Sequence, residues 1–235
     1  MQDRYIGDIG DYAKYGLLRA IQGSRKLGIA WYLFPDEQHN ADGKHITFYQ
    51  QPKKWRYMDA PLFDELKQIV VSGKRSVKEV SERGIFTNVV FHSELLKNSS
   101  TSIKDRQSWR KNWFDGVLKK VSDANIVFAD PDNGLCLDER FSYGGSKSWK
   151  RLPISEALRL AEGRVAVIYH HNSRFKGGHA KEIEYWMNAL GGNVVALRWR
   201  AYSSRTFFIV NPTEEIKRKC EAFSVHWGDK AEFVS

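Results

Sequence analysis

Residues Asn125–Phe141 read NIVFADPDNGLCLDERF: an apolar run that stops abruptly on Asp130-Pro131-Asp132-Asn133-Gly134. The run is short, continuous and bounded by backbone breakers, the signature of a strand buried on both faces. Two readings of its end are open. Asp130 and Asn133-Gly134 are ordinary turn formers, Asn and Gly tolerating left-handed backbone. In an open parallel sheet, however, ligands sit beyond the carboxyl ends of the strands, where this cluster falls.

Working outward, the same alternation repeats. Upstream, the segment carrying Trp109, Trp113 and Val117 on one face predicts a helix. Downstream come a helix over PISEALRLAEG with Pro153 in its first turn, a strand over RVAVIYHH, and a helix over GHAKEIEYWMNALGG stopped by Gly191 and Gly192. NVVALRWRAY and RTFFIVNP follow as two strands too close for a crossover helix, so they should pair antiparallel. Towards the N-terminus, DYAKYGLLRAIQ predicts a helix capped by Asp11, and GIAWYLF a buried strand. APLFDELKQIVVSG predicts a helix between Asp59 and Gly73, and NVVFHSEL a second strand. The expected architecture is α/β: a Rossmann-like, mostly parallel sheet with helices on both faces and an antiparallel C-terminal strand. One domain spans residues 1–235, with a polar insertion around 97–105.

The chain has 235 residues, with 37 Lys and Arg against 28 Asp and Glu, a formal net charge of +9. That excess favours association with polyanions and makes nucleic acid, DNA or RNA, the expected partner. Cys136 and Cys220 are far apart and have no neighbours at metal-ligand spacing, which argues against a disulfide framework or a zinc site. No stretch has the length and apolarity of a signal peptide or a membrane span, so a reducing, cytoplasmic setting is the expectation.

The order from ADPDNG to FFIVNP resembles the second half of a class I S-adenosylmethionine-dependent methyltransferase. More narrowly, the chain is similar to the large-subunit ribosomal RNA adenine-N6 methyltransferase family (RlmJ-like) and to the three-Cys-motif partner proteins. Three stretches carry the resemblance: DPDN at Asp130–Asn133, where the family has Asp-Pro-Pro-Tyr; GDIGDYAKYGLL, like its Gly-Asn/Asp-x-x-Asp-x-x-Lys helix start; and the strand ending Asn211-Pro212. The resemblance implies S-adenosylmethionine as cofactor and an exocyclic amine, adenine N6 in the family, as target. Asp130 and the Pro131 carbonyl would accept hydrogen bonds from that amine. Asp132 and Asn133 replace the second proline and the aromatic residue, so stacking on the base must come from elsewhere. The loop after the first strand, glycine-rich in the family, has only Gly43 here; with Asp36 and Asp42 it would hold the cofactor, and Glu94 its ribose.

Other constellations support rival readings. PDEQHNADGKH resembles the metal core of PD-(D/E)xK nucleases, with Asp36, Asp42 and Lys44 as the Mg²⁺ and water site of a nuclease or phosphodiesterase; Asp130 with Asp132 is a second possible pair. In YHHNSRFKGGH, His170 and His171 point to opposite strand faces, so at most one faces a given site, as a base, a phosphate contact or a satisfied buried histidine, which argues against a pair of ligands, while Arg174 and Lys176 could hold a phosphate at the following helix N-terminus. Basic and aromatic residues interleave in SWRKNWF, SKSWKR and LRWRAYSSR. Of these, Lys147, Trp149, Lys150 and Arg151 are expected in a loop where cations position a backbone and the indole stacks on a base. A non-catalytic nucleic-acid-binding module on a degenerate methyltransferase scaffold is the third reading.

Overall fold

The computed structural model describes residues 1–37, 43–96 and 101–235. Its centre is a sheet of β1 (Leu27–Trp31), β2 (Val89–His92), β3 (Ile126–Asp130), β6 (Val165–His171), β7 (Val194–Trp199), β8 (Arg205–Val210) and β9 (Ala231–Val234). β4 (Leu135–Cys136) and β5 (Leu152–Pro153) form a separate two-stranded parallel ladder. The strand order is β2-β1-β3-β6-β8-β7-β9. β2, β1, β3 and β6 run parallel; β8 lies antiparallel between β6 and β7, and β9 pairs antiparallel with β7 at the edge. The Rossmann-like α/β architecture expected from the alternation is therefore present, with β8 as its antiparallel C-terminal strand and β9 as an addition.

Nine helices accompany these strands among the described residues: α1 (Ile9–Gln22), α2 (Pro52–Trp55), α3 (Ala60–Ser72), α4 (Val77–Glu82), α5 (Arg106–Lys120), α6 (Ser146–Trp149), α7 (Ile154–Leu160), α8 (Gly178–Leu190) and α9 (Glu214–Trp227). Alternation along the strands builds two cores. Ile29, Phe128, Val167, Leu197 and Phe207 face α1, α3, α4 and α9, whereas Ala30, Val127, Ala166, Ala196 and Phe208 face α5, α7 and α8. Every residue of β1 and β3 is buried, as strands covered on both faces must be.

Local chemistry sets the boundaries. The Asp59 side chain accepts from Leu62 N at the start of α3, and Gly73 ends that helix at a φ of 71°, as read from the sequence. Two boundaries differ. α1 is capped three residues before the predicted cap, by Asp8, which accepts from Asp11 N at 3.0 Å; Asp11 lies inside the first turn and turns its carboxylate inward. Pro153 precedes α7 as its cap and belongs to β5. Of the polar insertion, residues 97–100 lie outside the described residues, and Ile103–Asp105 form one 3₁₀ turn leading into α5.

Candidate active site at the strand ends

Register brings Trp31 of β1 beside Asp130 of β3, so residues 32–37 and 131–134 leave the sheet together at its carboxyl edge. The first turn of α1 lies against this edge and supplies its counter-charge. Lys14 Nζ donates to Asp130 Oδ2 at 2.7 Å and to Asp11 Oδ1 at 2.8 Å. All three side chains are buried: Asp130 is 2% exposed, Asp11 1% and Lys14 4%. Asp130 is thus not the solvent-facing group that a strand-end carboxylate suggests, because α1 and the N-terminal residues cover it. Asp130 Oδ1 makes no hydrogen bond among the described residues.

Above this triad is a cavity of about 220 Å³ lined by Asp8, Asp11, Lys14, Gly43, His45, Asp130–Asn133, Tyr169, His171, Ser203 and Arg205, together with Met1 and Tyr5. Four aspartates face Lys14 and Arg205 across it. Burial pushes the Asp11 carboxyl up to about 6, against the pull of Lys14. For Lys14, burial works against the charge, but Asp11 and Asp130 more than offset it and hold the ammonium above its ordinary range. Asp132 keeps its charge for a similar reason: burial would raise it, but the Met1 amino group at 3.5 Å, Gln2 and Lys150 bring it below the usual carboxylate range.

Arg205, at the start of β8, reaches over Gly10 in the first turn of α1. A Cβ at position 10 would sit 1.1 Å from an Arg205 guanidinium nitrogen, so a side chain there would displace the guanidinium. The guanidinium lies 3.9 Å from Asp8 and donates to Ser203, yet its Nε is buried without a partner among the described residues. Gly134 ends the Asp-Pro-Asp-Asn segment at a φ of 78°, where a Cβ would lie 2.4 Å from His170 Nδ1. His170 accepts there from Leu135 N at 3.0 Å and meets Glu182 at 3.3 Å through Nε2. It is a satisfied buried histidine that locks the turn, while His171, on the opposite strand face, lines the cavity.

The residues expected at the site divide sharply. Asp130, Pro131, Asp132, Asn133 and Gly43 line the cavity. Asp36 does not; its carboxylate accepts from Arg4 N at 3.2 Å on the surface. Glu94, placed beyond the edge strand β2, is 57% exposed beside His92 and is no part of the cavity lining. Lys44 is exposed, and Asp42 lies outside the described residues. Among the described residues, no three His, Cys, Asp or Glu side chains gather to hold a metal ion.

The predicted nucleic-acid loop needs the larger correction. Trp149 is 0% exposed: its indole packs on Trp109 with ring centroids 5.4 Å apart and donates to Tyr143 O at 2.8 Å, so it stacks inside the protein and offers no face to a base. Lys150 is engaged by Glu37 at 2.5 Å and Asp132 at 3.5 Å. Lys147, Arg151 and Arg174 remain exposed. Reading the sequence missed Asp8, Asp11, Lys14, Tyr169, Ser203 and Arg205 as cavity residues. For the first three the signal was available in the spacing of GDIGDYAK; for Arg205 it was not, because its reach depends on β8 being slotted beside β6.

No protein-family model matches the chain, and no curated protein matches it. Among the described residues, no helix is long and apolar enough to cross a membrane.

Proposed function

We propose that the chain is a nucleic-acid-directed S-adenosylmethionine-dependent methyltransferase acting on an exocyclic amine, with adenine N6 the implied target. One observation carries the reading: two stretches separated by over a hundred residues, GDIGDYAK and DPDN, both picked out by the resemblance, meet through the Lys14–Asp130 contact at 2.7 Å. The antiparallel β8 between β6 and β7 supports the same reading.

In that reading Lys14 fixes the Asp130 carboxylate through Oδ2 and leaves Oδ1 to accept a hydrogen bond from the target amine, with the Pro131 carbonyl as second acceptor. Holding both N–H groups aims the nitrogen lone pair away from Asp130. The carboxylate also stabilises the positive charge that grows on nitrogen as its bond to carbon forms, and such an acceptor commonly contributes about 10²–10³ in rate. S-adenosylmethionine supplies the electrophilic methyl group. Arg205, whose buried Nε has no partner among the described residues, suits the carboxylate of such a molecule. At about 220 Å³ the cavity is below the roughly 300–1,000 Å³ of most cofactor pockets, so the described walls receive part of such a molecule.

The Mg²⁺ nuclease reading finds less support, since Asp130 and Asp132 already face Lys14, Lys150 and the Met1 amino group. The non-catalytic module is favoured by one specific feature, the absence of an aromatic side chain at Asn133. Transfer of labelled methyl from S-adenosylmethionine to oligonucleotides separates the two. The wild-type chain should transfer, and Asp130→Asn should lose about two to three orders of magnitude while keeping its fold by circular dichroism. Cofactor and oligonucleotide binding without transfer in the wild type would leave the binding module.

A further inference from the structure

The resemblance leaves one requirement unmet: Asn133 stands where the family has the aromatic residue that stacks on the base, and Trp149 is buried. The structure supplies another aromatic beside residues of the same cavity. Residues 200–204 join β7 to β8, and Ser203 from this link lines the cavity beside Asp130. Tyr202 is 48% exposed, and its hydroxyl makes no hydrogen bond among the described residues. Its ring lies 5.4 Å from that of His45, another cavity residue, and 6.0 Å from that of the buried Trp55.

The backbone at Tyr202 is unusual. Its φ is 64°, and Ser203 N donates to Ala201 O at 2.9 Å across it. This is the rare, strained three-residue turn, which a bulky aromatic residue disfavours and a glycine would adopt freely. Strain of this kind persists where the surroundings enforce it and clusters at ligand clamps. Exposed cations stand on the neighbouring segments: Lys44 next to His45, Arg200 in the same link and 3.9 Å from Glu232, and Lys54, whose ammonium lies 5.3 Å from the Trp55 ring centroid. An exposed aromatic with cations on its neighbouring segments, adjacent in sequence to a residue lining a cavity that holds a carboxylate acceptor, suits an unpaired base and its flanking phosphates.

We infer that Tyr202 is the stacking group for the target base, replacing the aromatic that Asn133 lacks, with Lys44, Lys54 and Arg200 on the flanking phosphates. This rests on the nucleic-acid methyltransferase reading and adds that the substrate is entered as a single-stranded or extruded base. The common chemistry is an unstacked base in a polyanionic strand, and DNA and RNA arms separate the two sources.

The test is fluorescence anisotropy of labelled single-stranded DNA and RNA, each as a normal strand and with an abasic target position, titrated with the wild type, Tyr202→Phe, Tyr202→Ala and Tyr202→Gly. Tyr202→Phe should bind like the wild type. Tyr202→Ala and Tyr202→Gly should bind the normal strand roughly tenfold more weakly and the abasic strand equally well, because stacking is lost only where a base is present. Tyr202→Gly should also melt at a higher temperature than the wild type, relieving the left-handed strain, so stability and binding move in opposite directions. Tyr202→Ala binding the normal strand as tightly as the wild type overturns the stacking role alone. A wild type that retains neither DNA nor RNA overturns both this role and the nucleic-acid reading. Base-dependent binding through Tyr202 in a chain with no response to S-adenosylmethionine or S-adenosylhomocysteine by calorimetry upholds the stacking role and removes the methyltransferase reading.

Discussion

Lys14 carries two carboxylates at once, and that makes it the most consequential single residue of the site. With Asp11 and Asp130 it forms a buried triad in which the one ammonium is shared. Removing one partner of a buried ion pair leaves charge without compensation and typically costs about 3–5 kcal/mol, whereas neutralising all partners is far cheaper. Lys14→Met should therefore lower the stability in urea by about that amount, and the triple change Lys14→Met, Asp11→Asn, Asp130→Asn should recover most of it. Equal stability of Lys14→Met and the wild type would mean that the triad does not form. At this scale the sequence was half legible. Asp130 announces itself by ending a buried strand on breakers, but that it is covered, and by which cation, depends on a helix that begins over a hundred residues earlier. Trp149 illustrates the converse: a tryptophan among lysines reads as a surface platform, and only the packing of α6 on α5 shows that its indole faces inward.

Between the strand ends and α8, a second polar network holds the site in shape. Glu182 accepts from Ser173 N, Ser173 Oγ and Asn172 Nδ2, and meets His170, which in turn accepts from the backbone just after Gly134. Burial alone would raise the Glu182 carboxyl, but its hydrogen bonds from His170, Ser173 and Asn172 bring it down to about 2. Burial also lowers His170 below its usual range, with Glu182 pulling the other way. Both groups stabilise the fold above their unfolded pKa values and lose that contribution as pH falls: His170 below about 6.5, Glu182 from about 4.5 towards 2. Asp11, raised to about 6, has the opposite sign; its contribution is full below 3.8 and is lost as pH rises through 6. Urea melts between pH 3 and 7 should show Glu182→Gln less stable than the wild type at pH 7, with the gap closing as pH falls below 4.5. A constant gap would contradict the hydrogen-bonded account. Helices and strands with periodic apolar faces were legible as elements; their starts were less so, since at α1 both Asp8 and Asp11 are good caps and only the packing of Asp11 on Lys14 chooses between them. α9 was readable from Ile216, Cys220, Phe223 and Trp227 at helical spacing behind the Thr213 cap, a signal passed over beside the louder strand before it.

For the molecule as a whole, the alternation of β and α was enough to predict a mostly parallel sheet, and the short link between β7 and β8 enough to predict their antiparallel pairing. The edge position of β9 was not, because four residues after a helix carry no partner information. Within a net charge of +9, exposed cations include Lys44, Lys54 and Arg200 on segments near Tyr202 as well as Lys147, Arg151 and Arg174. If several of them contact phosphates, affinity for a single strand should fall with salt by roughly 0.7 log units per log unit for each contact. Arg200→Gln should reduce that slope by about one contact's share, and a slope unchanged by it would move the strand off this face. The central claim, that the Lys14–Asp130 cavity receives S-adenosylmethionine, is tested most directly by isothermal titration of the wild-type chain with S-adenosylmethionine and S-adenosylhomocysteine, alongside Mg²⁺ and Mn²⁺. The account predicts one-to-one binding of both sulfur ligands, weakened by Arg205→Gln. Absence of heat with either ligand, together with saturable binding of Mg²⁺ or Mn²⁺ that Asp130→Asn abolishes, would contradict it.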